Sequence, residues 1–457
     1  MPSRRPVPPP ELRKTTTPCW ADLSLRCKPL KHVAFKIHTD ALSSPSDGRI
    51  LRRRILIRIL SHLPPPSRVL GLVCKRWLRL LDQLRRSLSL LDWSFLDSPS
   101  RRLVVRFPEL TDVDLVPASI SPPVIPSGIL LNRGPVSVRL DSEFETPNGA
   151  FPGASSRNAD SYRCPTLRKL SLVAVASELG LMKVANECPT LQELDLHRCT
   201  DTSLRSISAF RNLQILKLIG SMEGLYDGPG VSDIGLTILA HGCKRLVKLE
   251  LCGCEGSYDG IGAIGRCCLM LEELTICEHR MDAGWMAGLS FCGNLKTLRL
   301  QGCRRIDLDP GPIEHLGSCP TIEGLHLQRC QLRDKRSMNA LFIVCEAVKE
   351  MVFQDCWGLD NEMFGIAIIC RGVRVLSLEG CSLLSISGLE SVIASWKDLQ
   401  RLRVVSCNKI KDSEVTPTLA GFFSLLKELK WRPDSRSLLA ASIAGTGMGN
   451  KGVRFFK

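Results

Sequence analysis

Hydrophobic and polar positions follow a repeating string through residues 160–433. The clearest copies read "CPTLQELDLHRC" from Cys188, "CKRLVKLELCGC" from Cys243, "CGNLKTLRLQGC" from Cys292, "CPTIEGLHLQRC" from Cys319, "CEAVKEMVFQDC" from Cys345 and "CRGVRVLSLEGC" from Cys370. Weaker copies start at Cys164, Phe210, Cys268, Trp396 and Phe423. The shared frame is C-x-x-L-x-x-L-x-L-x-x-C. Its last two leucines stand two residues apart and so share one face of a short strand. Before each strand the apolar period lengthens. In "SDIGLTILAHGC", Ile234, Leu236, Leu239 and Ala240 are expected to turn inward from a helix, with Ser232 or Asp233 as its N-cap. Copies recur mostly every 22 to 27 residues, with one gap of 33. Such a unit cannot bury its apolar face alone. Neighbours must stack into a curved α/β solenoid, with a parallel sheet inside the arc and helices outside. "FPELTDVDL" places Phe107, Leu110, Val113 and Leu115 at the same offsets, as an earlier copy. The stretch 116–163 that follows is rich in Pro, Ser and Gly and is expected to be a disordered insertion, with one short strand at "VSVRL".

The cysteines sit in the frame's end positions: eight of the 21 in the first and seven in the last. Where the first position lacks cysteine, Phe210, Trp396 and Phe423 stand in. Phenylalanine and tryptophan neither bridge nor bind metal, and what they share with cysteine is burial. Zinc ligands usually stand two to four residues apart. Cys252/Cys254 is too close for a zinc knuckle, and Cys267/Cys268 has no second pair at a suitable distance. Buried free thiols are therefore expected, with disulfides or metal as the lesser alternative. Cys319→Ser should then bury an unpaired hydroxyl. The repeats resemble the cysteine-containing leucine-rich repeats (LRRs).

Residues 47–106 differ in kind. "RILIRILSHLP" puts Leu56, Ile59, Leu60 and Leu63 on one helical face, and Pro64 to Pro66 end that helix. "SRVLGLVCKRWLRLLDQL" puts Val69, Val73, Trp77, Leu80 and Leu84 along a second. Cys74 lies on that face, where burial is the expectation. So small a unit makes a thin core and calls for a partner. "ILSHLP…GLVCKRWLRLL" resembles an F-box, and with the repeats behind it the chain resembles the plant-type F-box/LRR substrate receptors. The resemblance implies a small all-α module docked on a Skp-type adaptor and, through it, a cullin of an SCF-type ubiquitin ligase. It also implies that Ile59, Leu60, Leu63, Pro64, Val73 and Trp77 face the adaptor or hold the module that does. "DGRILRRR" departs from the usual F-box opening, which has Leu-Pro before an acidic residue. The competing reading makes 47–106 a helical cap on a non-ligase LRR scaffold or inhibitor.

Composition narrows the rest. The net charge is +15, and residues 1–106 carry all of it, with 22 Lys+Arg against 7 Asp+Glu. Aromatic residues do not interleave with these arginines as stacking platforms, which argues against nucleic acid as the partner. No apolar run approaches the roughly 18 residues of a membrane span. The N-terminus lacks a signal-peptide core, no Asn-x-Ser/Thr site occurs, and an intracellular protein, nuclear or cytoplasmic, is expected. No catalytic motif emerges: neither H-E-x-x-H, G-x-S-x-G nor a phosphate loop is present, and "GTGMGNKG" follows no strand. The expectation is a non-catalytic chain without cofactor or metal. Its organisation reads as a basic tail 1–46, the helical module 47–106, repeats 107–433 and a tail 434–457. An unidentified protein target would meet the concave face, where Arg299, Gln301, His326, Gln328 and Arg403 project between and beyond the strand leucines.

Overall fold

A computed structural model describes residues 55–62, 73–90, 106–117, 166–173, 178–221 and 230–434. It divides into two compact units, Met1–Leu63 and Pro64–Lys457. In the first, the described residues form a helix over 55–61, with Leu60 buried and Ile59 exposed.

The second unit is built on a sheet of thirteen parallel strands: β1 Ser87–Ser89, β2 Asp112–Asp114, β3 Lys169–Val173, β4 Glu193–His197, β5 Ile215–Ile219, β6 Lys248–Cys252, β8 Glu273–Cys277, β10 Thr297–Gln301, β11 Gly324–Gln328, β12 Glu350–Gln354, β13 Val375–Glu379, β14 Arg401–Val405 and β15 Glu428–Arg432. Two short strands, β7 Glu255–Gly256 and β9 Arg280–Met281, pair outside it. Neighbours in the main sheet follow chain order and keep one register, so Leu249, Leu274, Leu298, Leu325, Met351 and Leu376 form one continuous row. Each is at most 1% exposed. The frame's leucines thus make the core spine, as the alternation requires.

The structure confirms the early copy: Phe107, Leu110, Val113 and Leu115 are all buried, with Val113 on β2. The sheet starts earlier still, at β1, inside the segment expected to belong wholly to the helical module. The polar "SLS" of β1 gave no alternation strong enough to mark a strand. Of the expected insertion 116–163, Val116 is buried against the core and 118–163 lie outside the described residues, as do the tail 1–46, residues 435–457, and Leu63, Pro64 and Val69.

The outer layer mixes α-helices with tighter 3-10 turns. Asp233–Gly242, Tyr258–Cys267 and Lys335–Val344 are α-helical, whereas Ser203–Ala209 and Trp285–Phe291 are 3-10. Ser232 caps its helix, and Leu236, Leu239 and Ala240 are buried, but Ile234 points outward at 66% exposure. Ile234 sits in the helix's first turn between Asp233 and Gly235, the residues bonded to the next and the preceding repeat.

A second device ties repeats together. The carboxylate of Asp233 accepts from Ser257 N (2.8 Å), Ser257 Oγ (2.7 Å) and Gly260 N (2.9 Å) at the start of the next helix. Asp201 does the same one repeat earlier, for Ser232 and Gly235. Each aspartate satisfies otherwise orphaned N–H groups and places negative charge at a helix N-terminus.

All eighteen described cysteines are free and sixteen are buried. Those in the last frame position donate to strand-end carbonyls: Cys199 to Leu196 O (3.2 Å), Cys330 to Leu300 O (3.3 Å), Cys356 to Leu327 O (3.2 Å). Burial pushes the thiols of Cys243, Cys292 and Cys370 up to about 12. They are packing residues and poor nucleophiles. Cys267 is half-buried, and Cys74 departs furthest. It is exposed and caps the helix Lys75–Leu84, its sulfur 3.5 Å from Trp77 N.

Candidate functional site

Odd positions of each five-residue strand stand on the concave face, because even positions carry the leucines inward. Pairing of β10 with β11 sets Arg299 beside His326 and Gln301 beside Gln328, so four of the five expected target residues form one patch. Arg403 is not part of it. It lies on β14, with Val352 and Ser377 intervening in the row from His326.

Neither arginine presents a bare charge. Arg299 Nε donates to Glu273 Oε1 (2.8 Å), and its terminal nitrogen lies 3.2 Å from His326 Nδ1. Arg403 reaches Glu379 Oε2 at 2.7 Å. Lys248 also pairs with Glu273 (3.1 Å), and Lys217 with Glu250 (2.6 Å). Burial alone would raise the Glu273 carboxyl, but hydrogen bonds and charge from Lys248 and Arg299 outweigh it and hold it below its ordinary value. His326 is lowered, first by burial and then by the Arg299 cation, both of which disfavour its charged form. Each partly exposed pair contributes only a few tenths of a kcal/mol. Together they make the face a lattice of alternating charge, not a basic patch. The sequence reading missed Glu273 and Glu379 because it followed the middle strand position and, beyond it, only selected residues. Period-two alternation puts both on the same face.

Two further features of this face were not expected. Asp195 Oδ1 is buried without a hydrogen-bond partner among the described residues, and burial raises its carboxyl despite Lys217 and Lys169. On β5, β6 and β8, Ile219, Cys252 and Cys277 form a buried apolar cluster separate from the core. Cys252 and Cys277 are register partners on β6 and β8.

Of the residues assigned to an adaptor surface, Ile59 (55%) and Val73 (60%) are exposed, Leu60 is buried and Trp77 half-buried. Val73 precedes the helix Lys75–Leu84 and does not lie on its face, because Cys74 is the N-cap. Within that helix Asp82 is buried and pairs with Arg106 at 2.8 Å. Arg106 also lies over the Phe107 ring, 5.2 Å from its centroid.

No protein-family profile matches the chain. Among curated proteins it is 25% identical over 333 residues to human F-box/LRR-repeat protein 12, covering 64% of this chain and 91% of that protein. It is also 25% identical over 273 residues to a transport inhibitor response 1-like protein of rice, covering 51% of this chain and 42% of the relative. The chain is thus similar to an F-box/LRR-repeat protein over nearly the whole length of that relative. It spans less than half the length of the rice relative. Among solved structures the chain resembles an internalin from Listeria monocytogenes, at TM-score 0.39 and 15% identity over 73% of this chain and 77% of that one. No helix among the described residues is long and apolar enough to cross a membrane.

Proposed function

We propose that the chain is the non-catalytic substrate-recognition subunit of an SCF-type cullin–RING ubiquitin ligase. The N-terminal helices dock on a Skp-type adaptor and so reach the cullin, and the concave face holds a protein target in the nucleus or cytoplasm. Any acceleration of ubiquitin transfer then comes from proximity. One observation carries this reading: the match runs through nearly the whole length of a protein of F-box and repeat architecture. The two exposed apolar side chains at 59 and 73 support it, since lone helices of this size gain stability from a partner.

The scaffold reading draws on a different observation. The helix Lys75–Leu84 leads directly into β1 and is pinned by Asp82 to Arg106, as a cap on the sheet's first edge would be. Adaptor capture separates the two. Ile59→Glu with Val73→Glu changes exposed positions only, so the repeats keep their melting temperature, and adaptor co-purification with the full chain should fall at least tenfold. Capture equal to that of the unaltered chain, or no capture by the unaltered chain, refutes the ligase reading.

A further inference from the structure

The concave cluster on β6 and β8 has the chemistry of a metal site. Glu250, Cys252 and Cys277 each offer one donor atom, and all three lie within 4.8 Å of one another. Cys252 Sγ is 3.5 Å from Glu250 Oε1, and Cys277 Sγ is 3.9 Å from the same oxygen. On the far side Cys277 Sγ is 3.5 Å from Gln301 Oε1. Donors around a tetrahedral zinc, with bonds of about 2.0–2.3 Å, lie roughly 3.3–3.8 Å apart. The Cys252–Glu250 and Cys277–Gln301 separations fall within that range and the Cys277–Glu250 separation lies just beyond it, with Gln301 Oε1 or water as the fourth vertex.

These two thiols also differ from the packing cysteines. Cys199, Cys330 and Cys356 donate to backbone carbonyls inside the core. Cys252 and Cys277 sit outside the core cluster, on the open face, and turn toward side-chain oxygens. Neither occupies an end position of the repeat frame, so burial of the spine does not require cysteine at either place. The equivalent positions on neighbouring strands hold Ile219 and Gln301, which fit the same register without sulfur.

We propose that Cys252, Cys277 and Glu250 bind a thiophilic divalent cation, Zn2+ in the first place, on the concave face. Two thiolates select a soft or borderline ion over Mg2+ or Ca2+. Binding sends two thiol protons to solvent. It also draws Glu250 away from Lys217, whose ammonium otherwise pairs with it at 2.6 Å. Lys217 is the register partner of Asp195, so the bound ion changes the charge that a target meets on three adjacent strands.

The test titrates the reduced full chain with Zn2+ against a chromophoric chelator, and with Cd2+ followed by thiolate-to-cadmium charge-transfer absorption. One equivalent should bind with Kd below about 1 μM. Cys252→Ala with Cys277→Ala should weaken that equivalent by about 100-fold or more, and Glu250→Gln by about tenfold. Cys303→Ala with Cys330→Ala, an adjacent thiol pair inside the core, should leave it unchanged. Far-UV circular dichroism checks the fold of each variant. If the Cys252/Cys277 variant does not fold, Glu250→Gln, which keeps both thiols, decides. The site is overturned if the unaltered chain binds no such equivalent, if the folded double-alanine variant keeps it, or if Glu250→Gln binds as tightly as the unaltered chain.

Discussion

Serine in place of Cys345 should cost the repeats more than serine in place of Cys319, although both cysteines hold the first frame position and both are at most 1% exposed. The difference lies in the acceptors. Cys319 Sγ is 3.4 Å from Cys292 O and 3.6 Å from Thr321 Oγ1, so a hydroxyl there finds a partner, contrary to the expectation from sequence. Cys345 is wholly buried beside the thiols of Cys370 and Cys319, and no hydrogen bond tempers the rise of its own thiol. A buried hydroxyl without a partner costs about 1–3 kcal/mol. The loss of apolar contact in exchanging sulfur for oxygen adds less than the ~1 kcal/mol of a methylene. Cys345→Ser should therefore lose about 2–3 kcal/mol and Cys319→Ser less than about 1 kcal/mol. Cys345→Ala, which brings no polar atom, should fall between them. Urea denaturation of the full chain, followed by far-UV circular dichroism, gives the comparison from midpoints at constant slope. Equal losses for the two serine variants, or a Cys345→Ala worse than Cys345→Ser, would refute the acceptor argument.

Asp233→Ala removes three hydrogen bonds to the start of the next helix and should cost about 2–3 kcal/mol in the same assay, with loss concentrated in amide-exchange protection of Tyr258–Cys267. Arg299→Glu with Arg403→Glu sets like charges against Glu273 and Glu379, so target capture should drop while adaptor binding persists; unchanged capture places the target elsewhere. His279 is lowered to about 4 by burial, against an ordinary value of 6.5. A histidine depressed on folding contributes its full stability above pH 6.5 and loses it as pH falls toward 4, about 3 kcal/mol in all. The acid limb of a stability–pH curve should therefore flatten in His279→Gln, and an unaltered limb would rule the histidine out.

The repeats were legible because their signal is both local and repeated. Leu249, Leu274 and Leu298 each announce a strand, and stacking at one register turns three local signals into one core row. Burial of the frame's cysteines followed from substitution by Phe210, Trp396 and Phe423, an argument about volume that needs no coordinates. The outer layer was less legible. Only 17 residues separate β4 from β5, and a tight 3-10 turn takes the place of the expected helix there. The carboxylate links from Asp201 and Asp233 join residues more than 20 positions apart, so no local pattern marks them; the nearby serines and glycines explain themselves only once the link is seen.

The same limit governs the metal reading. Ligand spacing along a chain tests for a site made within one loop, and by that test Cys252 pairs only with Cys254. Stacking at a fixed register replaces sequence neighbours with residues one repeat apart. Cys254 then turns into the core, donating to the Cys252 carbonyl at 3.5 Å, while Cys252 meets Cys277 across the sheet. In a solenoid the spacing to search is therefore the repeat itself. Any two adjacent repeats that both place a soft donor at the last strand position bring those donors together on the concave face. In this chain β6 and β8 do so, and the carboxylate of Glu250, two residues before Cys252 and so on the same face, completes the set.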